Sequence, residues 1–250
     1  MKIIIAPAKK MVVDQESFPV QTEPVFLAQA KILWDFLKSR SFDQLKEIWQ
    51  ANDKIVKENQ LRLKKENLTK QLTPALFSYS GIQYQYMGAD VLEQEALDYL
   101  QKNLRIVSAL YGLLRPFDGV VPYRLEMRNH LIGFRDYSLY HFWNDQLFEY
   151  LTDEDNLILN LASKEYAQLF TPYLKQKEQF VTVEFLENKK GKWRQIATHA
   201  KMARGAMVRF LAQNQVTSLE TIKNFNDFGY QFDQENSSTE KYIFKKYDLF

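Results

Sequence analysis

Two stretches of this 250-residue chain gather side chains that could do chemistry. Residues 108–127 form a segment punctuated by Gly112, Pro116, Gly119 and Pro122. They bring Tyr111, Arg115, Asp118, Tyr123, Arg124 and Glu126 into one loop. Arginines in such a loop can fork onto phosphates. Asp118 or Glu126 could serve as general bases, or could simply pair with Arg115 and Arg124. The residues alone favour pairing over catalysis.

The second stretch is a helix around Lys201–Arg209. On a helical wheel, Met202, Ala203, Ala206, Met207, Phe210 and Leu211 fill one apolar arc. Lys201, Arg204 and Arg209 share the other, with Gly205 in its middle. Glycine inside a helix costs about 1 kcal/mol relative to alanine, so something should approach closely there. A phosphate backbone would fit, and so would another protein element.

This helix lies in a run without acid. Residues 189–219 contain seven Lys or Arg and no Asp or Glu. The whole chain has 33 basic and 31 acidic residues, net +2. Outside the run the balance is 26 to 31, or −5. A phosphate or polyanion is the natural partner for such a segment, and a solvated lysine-rich hairpin followed by a surface helix is the plainer reading.

The elements that would position these residues can be read from pattern. Lys2 to Ala6 is a β-branched strand stopped by Pro7, and Lys9 follows it. Leu104–Ser108 and Leu157–Leu161 read as interior strands, each after a helical segment, which predicts an α/β sheet. Val25–Lys38 is helical. Ser41 and Gln44 form a capping box for a second helix. The charged stretch that follows makes 41–70 a helical excursion. Asp90 with Glu93 predicts a capped helix over 91–102. Ser138 is expected to cap an aromatic-rich helix through Leu151, and Ser163 a short one through Phe170. A hairpin is expected around residues 188–191, and strands over 230–233 and 242–247. With no repeat, linker or low-complexity tract, residues 1–250 read as a single mixed α+β domain: a mixed sheet flanked by helices.

Composition removes several function classes. With no Cys, thiolate catalysis, disulfides and Cys-held metal sites are excluded. His130, His141 and His199 lack metal-ligand spacing, so no tightly bound metal and no cofactor are expected. No segment is long and apolar enough for a membrane span or a signal-peptide core, and the simplest location is the cytoplasm.

Five ordered blocks resemble the YaaA family. They are Ala6-Pro7-Ala8-Lys9, the run from Leu110 to Met127, Asn160–Tyr166, Lys201–Phe210 and Phe228–Phe232. The family begins its first block with Ser, where Ala6 stands here. The resemblance implies a compact single-domain α/β fold with a positively charged cleft. It also implies binding of double-stranded or structured DNA with little sequence preference. The implied role is in the response to hydrogen peroxide, where the family limits oxidative DNA damage and free intracellular iron. A helix-hairpin-helix element has been linked to the family, but the region after Ser41 lacks its glycine hairpin.

Non-specific duplex binding needs Lys and Arg against phosphates. The phosphate-binding residues expected on this basis are Lys9, Arg115, Tyr123, Arg124, Lys201, Arg204, Gly205 and Arg209. Tyr111 or Tyr123 could stack on a base. The 201–209 arc and the 115–126 loop should form opposite walls of one cleft. The alternative is an enzyme acting on a nucleobase or nucleotide in the same cleft, with Lys9, Asp118, Glu126 and Ser163 as catalytic candidates.

Overall fold

A computed structural model of the chain describes residues 1–134 and 137–247. Strand β1 (Lys2–Ile5) is wholly buried, as its run of isoleucines requires. Helix α1 (Leu27–Lys38) follows after a long irregular segment. Ser41 and Gln44 then make the expected capping box at the start of α2 (Phe42–Trp49). Asn52 caps α3 (Asp53–Lys65). Next come α4 (Ile82–Met87) and α5 (Gln94–Asn103). The anticipated Asp90–Glu93 cap is not made. Asp90 sits in a separate turn of 3-10 helix, and Glu93 caps α5 without a side-chain hydrogen bond.

Strands β2 (Leu104–Ser108) and β3 (Gly112–Leu114) are again fully buried. The aromatic-rich helix expected from Ser138 to Leu151 is broken in two, α6 (Leu139–Trp143) and α7 (Gln146–Glu154). Asn144, at φ 46°, lies between them, and Ser138 makes no cap hydrogen bond. β4 (Leu157–Asn160) precedes the short α8 (Lys164–Ala167). β5 (Gln179–Lys189) and β6 (Lys192–Arg194) form the expected hairpin. Lys190 and Gly191 both have positive φ at its tip, 54° and 78°, as a two-residue turn matching strand twist demands. α9 (Ala197–Gln213) carries the basic block. β7 (Tyr230–Phe232) and β8 (Lys241–Lys246) close the chain.

One eight-stranded mixed sheet, order β7-β8-β5-β4-β1-β2-β3 with β6 beside β5, runs through the fold. Strands β8, β5, β4, β1 and β2 are parallel; β3, β6 and β7 are antiparallel to their neighbours. With one continuous hydrophobic core, the chain is a single compact α/β domain. The order decides where a site can form. From β1 the chain goes to β2 on one side, then crosses back to β4 and β5 on the other. The carboxyl ends of β1 and β4 therefore flank a topological switch point, where α/β sheets open a crevice. Among the described residues no helix is long and apolar enough to cross a membrane.

Candidate functional site

The switch point is occupied by a cavity of about 590 Å³. Ala6 to Lys10, leaving β1, form one part of its lining, and Ser163, Glu165 and Tyr166, following β4, another. Both exits are fixed by hydrogen bonds. Asn160 Oδ1 accepts from the Ala162 N–H at 2.9 Å while its amide donates to Thr182 at 3.2 Å. The Tyr84 hydroxyl donates to the Ala6 carbonyl at 3.1 Å.

The floor is a buried hydroxyl network. Ser108, at the end of β2, accepts from the Tyr111 N–H at 2.9 Å and shares a 2.7 Å hydrogen bond with the Tyr123 hydroxyl. Tyr123 shares another, 2.9 Å, with Tyr79. Burial pushes the Tyr123 phenol up to about 12 and holds Tyr79, Tyr84 and Tyr166 well above the ordinary tyrosine value. These phenols stay neutral at physiological pH, so they supply shape and hydrogen bonds and cannot act as bases.

Glu126 is the hub of the charged wall. Its buried carboxylate takes Lys9 at 2.7 Å, Arg124 at 2.8 Å and Arg128 at 3.3 Å. Its backbone N–H donates to Asn129 Oδ1 at 2.7 Å, which fixes the turn that aims it. One carboxylate therefore serves three cations.

A further part of the lining comes from α4 and α9, which supply Gln83, Tyr84, Lys201 and Arg204. Arg204 is only 8% exposed. Among the described residues its side chain forms neither an ion pair nor a hydrogen bond, and its Nε–H is buried without a partner. Burial lowers its pKa, against a weaker opposing pull from Glu184. The Nε–H of Arg124 and the side-chain amide nitrogen of Gln83 are likewise buried and unpaired. In all, six Lys or Arg and two Glu line the cavity.

The structure brings together Lys9, Tyr123, Arg124, Glu126, Ser163, Lys201 and Arg204. It separates others from them. Asp118 is fully buried, where its carboxylate accepts from Arg115 Nε at 3.0 Å, the Arg115 N–H at 2.8 Å and Thr22 at 2.6 Å. Arg115 also donates to the Glu23 carbonyl at 2.8 Å. This pair braces the loop, and neither residue lines the cavity. Tyr111 is fully buried, its hydroxyl accepting from the Val121 N–H, so it offers no stacking face.

The arc on α9 also divides. A Cβ on Gly205 would stand 2.1 Å from the Gln83 carbonyl oxygen. The close approach that this glycine permits is therefore that of α4, not of a phosphate. Arg209 donates to the Met87 carbonyl at 2.9 Å and caps the end of α4. Only Lys201 and Arg204 of the four reach the cavity. Ser163 makes no cap hydrogen bond to α8.

Lys10, Gln83, Tyr84 and Arg128 were not anticipated. Gln83 and Tyr84 sit in a six-residue helix too short for periodicity to announce. Arg128 follows the signature by one residue. Glu165 and Tyr166 lie within the Asn160–Tyr166 block, so the sequence carries their signal.

Residues 1–236 match the model of the family described as Peroxide stress protein YaaA. The chain belongs to the YaaA family. Its curated relatives are named UPF0246 proteins. That of Lactobacillus johnsonii is 56% identical over 246 residues, covering 98% of each chain. That of Lactobacillus helveticus is 54% identical, covering 98% of this chain and 97% of its own. That of Lactiplantibacillus plantarum is 48% identical, covering 98% of both. Four of the five YaaA-like blocks contribute residues to the cavity lining, and Lys10, Ser80–Tyr84 and Arg128 add to it from outside them.

Proposed function

We propose that this YaaA protein binds DNA with little sequence preference, its phosphates meeting the basic rim of the switch-point cavity, and that it acts in this way in the peroxide stress response. The proposed role is that of a cytoplasmic protein that helps limit oxidative DNA damage and free intracellular iron. The observation that carries the reading is Arg204, a buried cation at the wall of an open cavity that forms no ion pair among the described residues and feels only a weak pull from Glu184. Leaving such a charge uncompensated is costly, and an anion from outside relieves the cost. Lys10 and Lys201 add two rim cations that form no ion pair among the described residues. Phosphate contacts from Lys and Arg give affinity without base readout.

Fluorescence anisotropy with a labelled duplex at a series of salt concentrations tests this. Three unpaired cations meeting phosphates predict a slope of log affinity against log salt of roughly −3. Affinity that does not change with salt would remove the phosphate-cleft reading.

A further inference from the structure

We infer that the cavity behind this rim takes the base of a single nucleotide, with its phosphate held at the mouth. The inference rests on the DNA-binding reading where the nucleotide belongs to a strand, and stands apart from it where the nucleotide is free. A stacked duplex cannot enter a 590 Å³ space, which is the size of a small-ligand pocket. One unstacked nucleotide can.

The lining has the composition that a planar heterocycle needs. Tyr84, Tyr123 and Tyr166 contribute aromatic surface, and their hydroxyls are neutral or already engaged within the floor. Gln83 and Arg204, each more than nine-tenths buried, carry N–H groups that are unpaired among the described residues, as does Arg124. Buried donors without acceptors are rare in folded proteins. The edge of a nucleobase is rich in ring nitrogens and carbonyl oxygens that accept such bonds. A phosphate alone would answer the two arginines but would leave the neutral Gln83 amide with no reason to stay unpaired. Proteins that handle one base out of the stack meet it in this way, with aromatic faces and hydrogen bonds to its edge.

The test compares three duplexes in anisotropy titrations: fully paired, carrying one bulged nucleotide, and carrying the same bulge with its base removed. The bulged base should bind about tenfold or more tightly than the abasic bulge. In parallel, thermal shifts are read with the four deoxynucleoside monophosphates and with deoxyribose 5-phosphate. A larger shift with any of the nucleotides than with the sugar phosphate supports the free-nucleotide source. Gln83→Met keeps the buried volume, removes the donor and should shrink either base-dependent gain. Equal affinity for the two bulges, together with no base-dependent thermal shift, overturns the inference. Paired-duplex binding would still stand in that case, so loss of the base pocket and loss of the DNA reading are separable.

Discussion

Arg204 and Glu126 are the two side chains on which the cavity's chemistry turns, and they are opposites. Among the described residues the Arg204 side chain has no ion-pair or hydrogen-bond partner, and the Glu126 carboxylate has three cations. A carboxylate at the wall opposes an incoming phosphate while it neutralises Lys9, Arg124 and Arg128. Glu126→Gln should therefore tighten duplex binding at low salt and steepen the salt slope by about one contact or more, read by the same anisotropy titration. Loss of affinity instead would mean that Glu126 matters for positioning the cations. Pairing as the role of Asp118 was legible in the sequence, because Arg115 stands three residues away. Its burial was not, since it depends on Thr22, 96 residues distant. Gln83 was illegible for a different reason. An uncharged amide in a short helix carries no pattern, and only the missing hydrogen bond marks it.

The elements that make the walls are held by close contacts rather than by capping. Helix α9 crosses α4 at Gly205, and any Cβ there collides with backbone, which cannot swing aside. Gly205→Ala should cost about 1–3 kcal/mol as an overpacked core site, seen as a lower midpoint in chemical denaturation. Because α4 carries Gln83 and Tyr84, DNA affinity should fall with it. An unchanged midpoint would contradict this packing account. The wheel drawn from the sequence was correct in its apolar arc but misjudged the other. Arg204 and Gly205 are buried, so α9 is enclosed on both sides by α4 and the sheet. Periodicity shows where polar residues recur, not whether they meet water. Ser41 was legible because a capping box is wholly local, whereas the break at Asn144 depends on how α6 packs.

At the scale of the whole molecule, parallel order creates the site, and ion pairs at the opposite ends of the strands brace it. Glu154 shows the bracing. Burial alone would push its carboxyl up, but the Arg105 fork, at 2.7 and 3.0 Å, and Lys2 outweigh burial and hold it below the ordinary value of 4.5. A carboxyl lowered on folding contributes stability that is whole above about pH 4.5 and drains as pH falls through the folded value. Glu154→Gln should thus be less stable than the wild type at pH 7, and the gap should close below pH 4.5, in denaturation midpoints taken from pH 7 to pH 3. Strands and an α/β sheet were legible from the β-branched runs. The strand order was not, because nothing local states that β4 returns past β1, and that return is what opens the crevice. The central claim is that the crevice receives a phosphate against Arg204, and Arg204→Met tests it most directly. Methionine keeps much of the apolar stem and removes the buried charge. The most direct measurement is the duplex affinity of this variant, read beside its melting temperature. The account predicts a melting temperature equal to or above that of the wild type, with affinity reduced about tenfold or more, in the range of a charged hydrogen bond. Undiminished duplex affinity in a folded Arg204→Met protein would contradict it.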